Sequence, residues 1–530
     1  MWEGLSRSKP NRSPATLTKN RVNPSPVSGI CVTCLDGCPG PCEIGRSAVR
    51  GREMLYPMPF GKVTAGSEKD YPVDFSHFNV QGTCVGAQGI EADPDKAIFP
   101  AVRVDTEIGV KHKIKLGFPG FTGALGSTEI AQNHWQSMAI GAAICGLIIV
   151  CGENVCGMDP SAEIKKGRIV HSPEMARRVK IFKQWQQGRG DIIVQANVED
   201  TRLGVPEYAI EKLGVEFFEV KWGQGAKDIG GDVMLPNLDR ARQLKERGYI
   251  VLPDPFDPLT VEQYNLRGIR EFERHSRLAM VEEEGFFRSV EHLRRLGAKR
   301  VSLKTGAYRP ADLARAVKCA SEAQVDLLTV DGAGGGTGMS PWQMMNEWGT
   351  PTVYLECLLH EYLTHLQRQG KFVPDCAIAG GISMEDHVFK ALALGAPFVK
   401  LACMGRAILT ATMVGNMEGK KLAEKCAHEG KDLKEAYLEH FAECGSLRHL
   451  YPLSKFPRIP AGGVGLYSFI MRMTQGLQQL MAGARKFALE YIDRRDLVAL
   501  TEEAARVSGI SYIMQADADE VEKILGYRRA

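Results

Sequence analysis

The chain has 530 residues, of which 44% are hydrophobic and 24% charged, and its formal net charge is +3. These values are typical of an ordinary globular protein and argue against a disordered or fibrous one. Because the charge is nearly balanced, nucleic acid or an anionic membrane is not expected as the main partner. The longest apolar stretch, 138–150, is too short to span a bilayer, and the chain opens without a secretory signal. We therefore expect a cytoplasmic protein.

Residues 1–99 are predicted to form an N-terminal arm followed by a cysteine-rich segment, since positions 1–29 show almost no apolar pattern. Four closely spaced cysteines follow: Cys31, Cys34, Cys38 and Cys42. The glycines and prolines between them allow the tight turns that four converging thiolates require. This pattern favours a [4Fe–4S] cluster, while zinc and unligated cysteines stay open because the spacing matches neither a common ferredoxin run nor a zinc ribbon. Cys84 is a further candidate ligand.

From residue 100 to 415, short apolar segments alternate with amphipathic ones, which is typical of parallel strands joined by helices. The first predicted strand ends within 115–127 and runs into a loop of small residues. The other predicted strands are 146–150, 191–195, 215–221, 300–303, 325–330, 376–379 and 398–402. An additional strand is possible at 249–252. Eight strands alternating with helices predict an α/β fold with a (β/α)8 TIM barrel. Residues 416–530 lose this alternation and predict a C-terminal helical extension, with helical spacing clearest in 477–492 and 501–507.

Ligands of such barrels bind at the carboxyl ends of the strands. Glycines and charged residues follow the predicted strands in turn: Glu153, Lys227, Lys304, Gly334 to Gly338, Gly380, Gly381, Gly405 and Arg406. The glycine-rich run from Val330 to Pro341 is the most prominent, because glycine serves where a backbone adopts positive φ or approaches a ligand closely. A flexible surface loop is the alternative interpretation of that run. The glycines after the last two strands predict a phosphate site.

Several segments of the barrel and the tail resemble the FMN-binding synthase domain of glutamate synthases. In chain order they are Gly123-Ala124-Leu125, Gly152-Glu153, Gln224-Gly225-Ala226-Lys227, Ser302-Leu303-Lys304, Gly335-Gly336-Thr337-Gly338-Met339-Ser340-Pro341 and Leu477-Gln478-Gln479-Leu480-Met481-Ala482-Gly483-Ala484. The resemblance implies an FMN held by Gly123, Ala124, Gln224, Lys304, Gly335, Gly336, Thr337, Gly338, Gly380, Gly381, Gly405 and Arg406. It places Lys304 near the flavin N1–C2 edge. It also implies that Lys227 holds a substrate carboxylate and that Glu153 handles ammonia or the imine proton.

The implied reaction adds ammonia to a 2-oxo acid and delivers a hydride from reduced FMN to the resulting imino acid. Ferredoxin or a reductase subunit would supply electrons through the N-terminal cluster, and we expect a homo-oligomer. No glutaminase segment precedes the barrel in this chain, so the expected ammonia source is solution or a separate glutaminase. The alternatives are an FMN enzyme for a different amine or acid, and an electron-transfer subunit of a larger redox complex.

Two departures from the family pattern bear on these expectations. Asp232 or Val233 stands where the family has a glutamine that helps to bind the substrate carboxylate. Since an aspartate would repel a dicarboxylate, the identity of the 2-oxo acid stays open. The family's [3Fe–4S] cysteine motif after the late strands is also missing. Cys145, Cys151 and Cys156 have a similar spacing, and we interpret them as core cysteines, with a second cluster as the alternative.

Overall fold

The computed structural model describes residues 43–55, 66–67, 69–338, 340–451 and 455–527. Strands β1 to β17 are Phe78–Val80, Thr106–Ile108, Ile114–Leu116, Gly120–Thr122, Ile148–Cys151, Glu163–Lys165, Arg168–His171, Asp191–Ala196, Phe217–Lys221, Gly231–Leu235, Ile250–Leu252, Phe272–Ser276, Arg300–Thr305, Leu327–Asp331, Asp375–Ala379, Val399–Met404 and Leu497–Ala499. Helices α1 to α19 are Glu43–Arg50, Glu129–Cys145, Val155–Met158, Pro173–Trp185, Val198–Leu203, Val205–Glu207, Leu238–Glu246, Pro258–Asn265, Glu283–Leu296, Pro310–Glu322, Trp342–Asn346, Thr352–Arg368, Glu385–Leu394, Gly405–Glu429, Leu433–His440, Cys444–Leu450, Ala461–Gly483, Glu502–Ser508 and Ala518–Leu525.

Eight parallel strands close into a barrel, which confirms the predicted (β/α)8 fold. Around the ring their order is β13, β14, β15, β16, β4, β5, β8 and β9. Every residue of β8 and β13 is buried, because helices cover the outside of the barrel while side chains fill its interior. The interior is a separate apolar cluster that includes Phe121, Ile148, Ile193, Phe217 and Leu401. The runs of apolar residues in the sequence reflect this burial on both faces.

The structure refines two details of the predicted strand pattern. Within the predicted segment 115–127, β3 pairs antiparallel with β2 in a hairpin and β4 is the strand that enters the barrel. The additional strand at 249–252 exists as β11, but it belongs to an antiparallel sheet of order β10, β12, β11. We call these three strands, inserted between β9 and β13, the inserted sheet. Two of them, β10 and β12, are not predicted from the sequence.

The C-terminal residues pack back on the barrel as helices, with α17 lying against α2, α13 and α14. The predicted helical segment 477–492 ends early, since α17 ends at Gly483 and only a short 3₁₀ turn, Leu489–Tyr491, follows. The segment 501–507 is helical as predicted and begins at Thr501, whose hydroxyl accepts the Ala504 N–H at 3.1 Å.

A strand ahead of the barrel pairs with a strand near the C-terminus, since β1 and β17 are antiparallel neighbours. Helix α14 runs through position 415, and the division of the chain at 99/100 and 415/416 stays a prediction. Across the ranges that the structure describes, no helix is long and apolar enough to cross a bilayer.

Candidate functional site

A cavity of about 570 Å³ opens at the carboxyl end of the barrel. Its volume lies in the range of small-molecule and cofactor sites, about 300–1,000 Å³. The fourteen residues predicted to be catalytic or cofactor-binding all line it: Gly123, Ala124, Glu153, Gln224, Lys227, Lys304, Gly335, Gly336, Thr337, Gly338, Gly380, Gly381, Gly405 and Arg406. The structure thus brings together residues that lie up to 283 positions apart in the sequence, although their individual roles stay predictions.

One side of the cavity, after β15 and β16, has the features of an anion site. Gly380 and Gly381 have φ values of +119° and +93°, which side-chain-bearing residues rarely adopt, so they turn their backbone toward the cavity. Helix α14 starts at Gly405 and has no side-chain N-cap, which leaves its first N–H groups available to a ligand. Arg406 adds a cation at the same end of this 25-residue helix. These groups fit a phosphate.

In the cavity wall next to this anion site, backbone segments from different loops lie close to one another. A Cβ on Gly123, at the end of β4, would lie 2.8 Å from Gly405 Cα. A Cβ on Gly335 would lie 3.2 Å from Gly380 Cα, so the glycine-rich run after β14 lies directly against the turn after β15. Glycine is needed here for close contact between loops, and the flexible-surface-loop alternative for the run does not hold.

The loop after β4 is held from behind by a buried arginine. Arg178, on α4, is only 1% exposed, and its guanidinium lies over the Trp135 ring at 4.6 Å from the ring centroid. Its Nη1 donates to the carbonyl oxygens of Leu125 and Gly126 at 3.0 and 2.9 Å. An ion pair with Glu174 at 2.7 Å neutralises it. Because both carbonyls belong to cavity-lining residues, Arg178 fixes this part of the cavity wall.

Lys304 lies near the end of β13 and forms an ion pair with Asp331, the last residue of β14, at 3.1 Å. Both side chains are largely buried and both line the cavity. Burial alone would lower the pKa of Lys304, but the nearby Asp331 carboxylate outweighs it and raises that pKa above its usual value. The ammonium group is therefore charged at any physiological pH. Asp331 was not singled out in the sequence, although it directly precedes the glycine-rich run.

Glu153 forms a second ion pair, with Lys221 on β9. Lys221 Nζ donates to Glu153 Oε1 at 2.7 Å and to Gln224 Oε1 at 2.8 Å. Burial raises the pKa of Glu153, but Lys221 acts more strongly in the opposite direction and lowers it below the usual value. Glu153 is thus a carboxylate near neutral pH and can accept a proton or hold a cation. Lys221, which orients it, is a residue that the sequence reasoning missed.

The inserted sheet contributes a cation that the sequence reasoning also missed. Arg274, on β12, is 2% exposed and lines the cavity together with Val233, its register partner on β10. Its guanidinium lies 5.1 Å from the centroid of the Tyr249 ring and donates to the Ser276 hydroxyl. Tyr249 in turn donates to Asn154 Oδ1 at 3.2 Å, which ties the inserted sheet to the loop after β5.

Lys227, the predicted carboxylate-binding lysine, is buried and also lines the cavity. Lys227 and the inserted sheet both follow β9 in the chain. In the ring of strands, β9 lies across the barrel from β15 and β16, after which the anion site lies. Val233, one of the two residues that stand where the family pattern has glutamine, lines the cavity. Its side chain is apolar and offers no hydrogen bond to a ligand.

A smaller chamber of about 190 Å³ adjoins the cavity and shares Glu153, Gln224, Lys227 and Gly230 with it. Asp228 also lines this chamber. Burial, with a contribution from Asp331, raises the pKa of Asp228 to about 7, although Tyr308 and Lys221 act in the opposite direction. Asp228 thus changes its charge near neutral pH, beside the residues that the main cavity uses.

The raised pKa of Asp228 predicts a pH-dependent stability. An unfolded aspartate has a pKa of about 3.9, so between about pH 4 and 7 the folded protein holds a proton that the unfolded chain releases. The stability that this proton contributes is present at low pH and is lost as pH rises to 7. Asparagine cannot ionise, so we expect Asp228→Asn to raise the thermal midpoint above that of the wild type by at least about 2 °C at pH 8.

A series of thermal midpoints from pH 4 to 8 checks this expectation, with the exposed Asp105→Asn as the matched control. The difference between Asp228→Asn and the wild type should grow with pH up to about 7 and then level off. A difference that stays constant above about pH 5 would show that Asp228 is ionised throughout, and would contradict the raised pKa.

The cysteines within the described ranges do not form a metal centre. Cys145, Cys151 and Cys156 are buried, and burial raises the pKa of the Cys151 thiol to about 11. No three histidine, cysteine, aspartate or glutamate side chains come together as metal ligands in this part of the chain. The interpretation of these three as core cysteines is supported, and their alternative as a second cluster is not. Cys31, Cys34, Cys38 and Cys42 lie outside the described residues, so the predicted [4Fe–4S] cluster stays a prediction.

Among the residues that the structure describes, four cations and two carboxylates line the main cavity: Lys227, Arg274, Lys304, Arg406, Glu153 and Asp331. This described lining is net positive and suits an anionic ligand. The anion site after β15 and β16, the adjacent glycine walls and the buried Lys304 would together fit a phosphate-bearing cofactor such as FMN. The fold and the site define a (β/α)8 barrel protein built to bind a phosphate-bearing ligand.

Part of the chain is similar to known proteins. Residues 274–417 match the family model described as the conserved region in glutamate synthase. A glutamate synthase large subunit-like protein YerD of Bacillus subtilis is 29% identical over 194 residues, which is 36% of this chain and 33% of that protein. A glutamate synthase large subunit-like protein of Rhizobium meliloti is 27% identical over 313 residues, 55% of this chain and 61% of that protein. Residues 274–417 thus match a conserved region of glutamate synthases, and the chain spans less than two thirds of the length of each relative.

Among solved structures, the recombinant flavin-binding domain of baker's yeast flavocytochrome b2 is similar at 13% identity and a TM-score of 0.43, covering 86% of this chain and 82% of that one. At this distance the likeness does not bear on function. The segment that matches the family model contains Lys304, the glycine-rich run and the anion site.

Proposed function

We propose that this protein is an FMN-dependent oxidoreductase of the glutamate synthase type. The observation that carries the proposal is the convergence of all fourteen predicted residues, from seven strand ends, on one net-positive cavity with an anion site. When bound, reduced FMN supplies a hydride, and the proposed acceptor is the imino acid formed from a 2-oxo acid and ammonia. Gly380, Gly381, Gly405 and Arg406 hold the phosphate end of the cofactor.

The remaining charged groups have separate proposed tasks. Lys304, kept charged by Asp331, places a cation beside the cofactor ring. Lys227 and Arg274, across the barrel from the phosphate, bind the carboxylate of the 2-oxo acid. Glu153, ionised beside Lys221, holds the incoming ammonia and accepts the proton that it releases. The inserted sheet lies over this end of the cavity and limits its access to water.

A second candidate function is reduction or oxidation of a different amine or acid by the same cofactor. The apolar Val233 in the cavity wall favours it, because a valine offers no hydrogen bond to a distal carboxylate. The substrate would then be a 2-oxo acid, or the corresponding amine, with an apolar side chain.

Anaerobically purified protein tests the proposal. We expect a yellow-brown protein that contains FMN and iron, and that consumes 2-oxo acid when supplied with ammonia and an artificial reductant such as dithionite. A panel of dicarboxylic and apolar 2-oxo acids then separates the two candidates. A colourless protein that binds no added FMN would exclude both candidates.

We further propose that electrons enter from ferredoxin or a reductase subunit through a [4Fe–4S] cluster on Cys31, Cys34, Cys38 and Cys42. The four thiolates suit such a cluster by their chemistry. Ammonia would come from solution or a separate glutaminase. The assignment of the protein as an electron-transfer subunit is less favoured, because Glu153, Lys227 and Lys304 converge on one cavity.

Replacing one cysteine tests whether cluster binding and flavin binding are independent of each other. We expect Cys34→Ser to lose most of its iron and acid-labile sulfide, since serine is a poor ligand for such clusters, while its FMN content stays at the wild-type level. Iron, sulfide and FMN measured on the same anaerobic sample check this. Unchanged iron would show that Cys34 is not a ligand, and parallel loss of FMN would show that the cluster segment supports the flavin site.

A further inference from the structure

A short segment ahead of the barrel lies beside the cavity; we call its described residues, 66–67 and 69–71, the strap. Ser67 Oγ donates to Asn346 Oδ1 at 3.0 Å, and Lys69 forms an ion pair with Glu347 at 2.5 Å. Both partners lie at the end of α11, the helix that follows the glycine-rich run. The strap is therefore fastened to the chain segment that forms one wall of the cavity.

The strap also contacts the glycine-rich run itself. A Cβ on Gly334 would lie 3.5 Å from Tyr71 Cε2, which is ordinary van der Waals contact. The hydroxyl of Tyr71 is largely buried, and burial raises its pKa above the usual value. Tyr71 thus packs against Gly334, and the next residues of the run, Gly335 to Gly338, line the cavity.

At its start the strap meets Arg406. Gly66 is buried, and a Cβ built on it would lie 2.8 Å from Arg406 Nη1 and 3.1 Å from Nη2. Gly66 is not among the glycines with positive φ, so its backbone conformation would accept an alanine. Only the space taken by the guanidinium requires glycine at this position. The strap backbone therefore lies directly against the guanidinium.

We propose that the strap is part of the cofactor site, and that Gly66 sets the position of the Arg406 guanidinium at its phosphate end. The inference rests on the proposed FMN binding. Arg406 as a residue is exposed, but its guanidinium lies against the backbone of Gly66, so the strap restricts the guanidinium on one side before an anion binds. A planar guanidinium also needs a fixed orientation to donate two parallel hydrogen bonds to a phosphate.

The variant Gly66→Ala tests the proposal. The added Cβ meets only the far end of a flexible side chain, so we expect the fold to be retained while the guanidinium moves. FMN should bind the apoprotein about 10-fold more weakly, which corresponds to the loss of one hydrogen bond to a charged group. Riboflavin, which lacks the phosphate, should bind as it does to the wild type. Flavin fluorescence titration measures both constants, and thermal melting checks the fold.

A matched control is Gly82→Ala, because a Cβ on Gly82 would have Gly483 O as its nearest neighbour at an ordinary 3.6 Å. We expect this variant to bind FMN like the wild type. In an Arg406→Ala background, Gly66→Ala should cause no further loss, because the group that its Cβ displaces is gone.

The outcomes separate the two proposals. A wild-type protein that binds neither FMN nor riboflavin would overturn the proposed function. If the wild type binds FMN, three results would each overturn the role of the strap: unchanged FMN affinity in Gly66→Ala, equal losses for FMN and riboflavin, and additive losses in the double variant.

Discussion

Replacing Lys304 by methionine is expected to weaken FMN binding by about 10- to 100-fold, the range for loss of a hydrogen bond to a charged group. Methionine has a similar length but no charge, so the cavity keeps its shape and loses a cation beside the proposed ring position. The midpoint potential of the FMN that remains bound should become more negative, because a nearby cation favours the reduced, anionic form of the cofactor. Fluorescence titration and a spectroelectrochemical measurement check the two effects.

The same variant leaves Asp331 without its partner in a largely buried setting. Removing one member of a buried ion pair costs about 3–5 kcal/mol, so the apoprotein should melt at a lower temperature. The double variant Lys304→Met/Asp331→Asn removes the unpaired charge and should recover most of this stability. It should not recover FMN affinity, which separates the role of the lysine toward the cofactor from its role in the fold.

A matched control is Lys318→Met, which removes a lysine from an ion pair with Glu283 on the exterior of the barrel. It should leave FMN affinity unchanged, and its stability loss should be below about 1 kcal/mol because the pair is exposed. Wild-type FMN affinity and potential in Lys304→Met would place the lysine away from the cofactor.

The barrel could be predicted from the sequence because its signal is local. A strand buried on both faces, such as Asp191–Ala196, carries a run of consecutive apolar residues, here Ile192 to Val194. The glycines that follow the late strands are an equally local signal. The inserted sheet carries no such signal. The buried positions of β12 are Phe272, Arg274 and Ser276, and only one of these three is apolar. The alternation of apolar and polar residues that predicts a strand is therefore missing.

The pairing of charges within the site could not be predicted either. Lys304 and Lys221 are register neighbours on β13 and β9, yet each is neutralised by a carboxylate from a different strand. Which carboxylate meets which lysine depends on strand order and on the direction of each side chain. A sequence shows that Lys304 and Glu153 lie at strand ends, but not that Asp331 and Lys221 are their partners.

The second large effect is expected for substitution of Arg274, a cavity residue that was not predicted from the sequence. We expect Arg274→Gln to raise the KM for the 2-oxo acid by at least about 30-fold, because loss of one partner from a buried, hydrogen-bonded charge pair costs 2 kcal/mol or more. The affinity for FMN should not change, since the inserted sheet lies across the barrel from the anion site. Steady-state kinetics with saturating ammonia and a flavin titration measure the two quantities.

Arg274 also supports the fold, because it packs on the ring of Tyr249 and donates to Ser276. Arg274→Lys keeps the charge but loses the planar fork, so its KM should lie between those of the wild type and Arg274→Gln. Added guanidinium ion should lower the KM of Arg274→Gln if the missing group binds substrate. The control Arg270→Gln removes an exposed arginine just ahead of β12 and should behave like the wild type.

A lower kcat with unchanged KM, together with no response to guanidinium, would assign Arg274 to supporting the inserted sheet. Lys227 would then be the only cation in the described part of the cavity wall on that side of the barrel. One lysine can neutralise a single carboxylate, so a dicarboxylic substrate would leave its second carboxylate unpaired in a largely buried cavity. The kinetics of the Arg274 variants therefore also decide between the dicarboxylic and the apolar 2-oxo acids that Val233 leaves open.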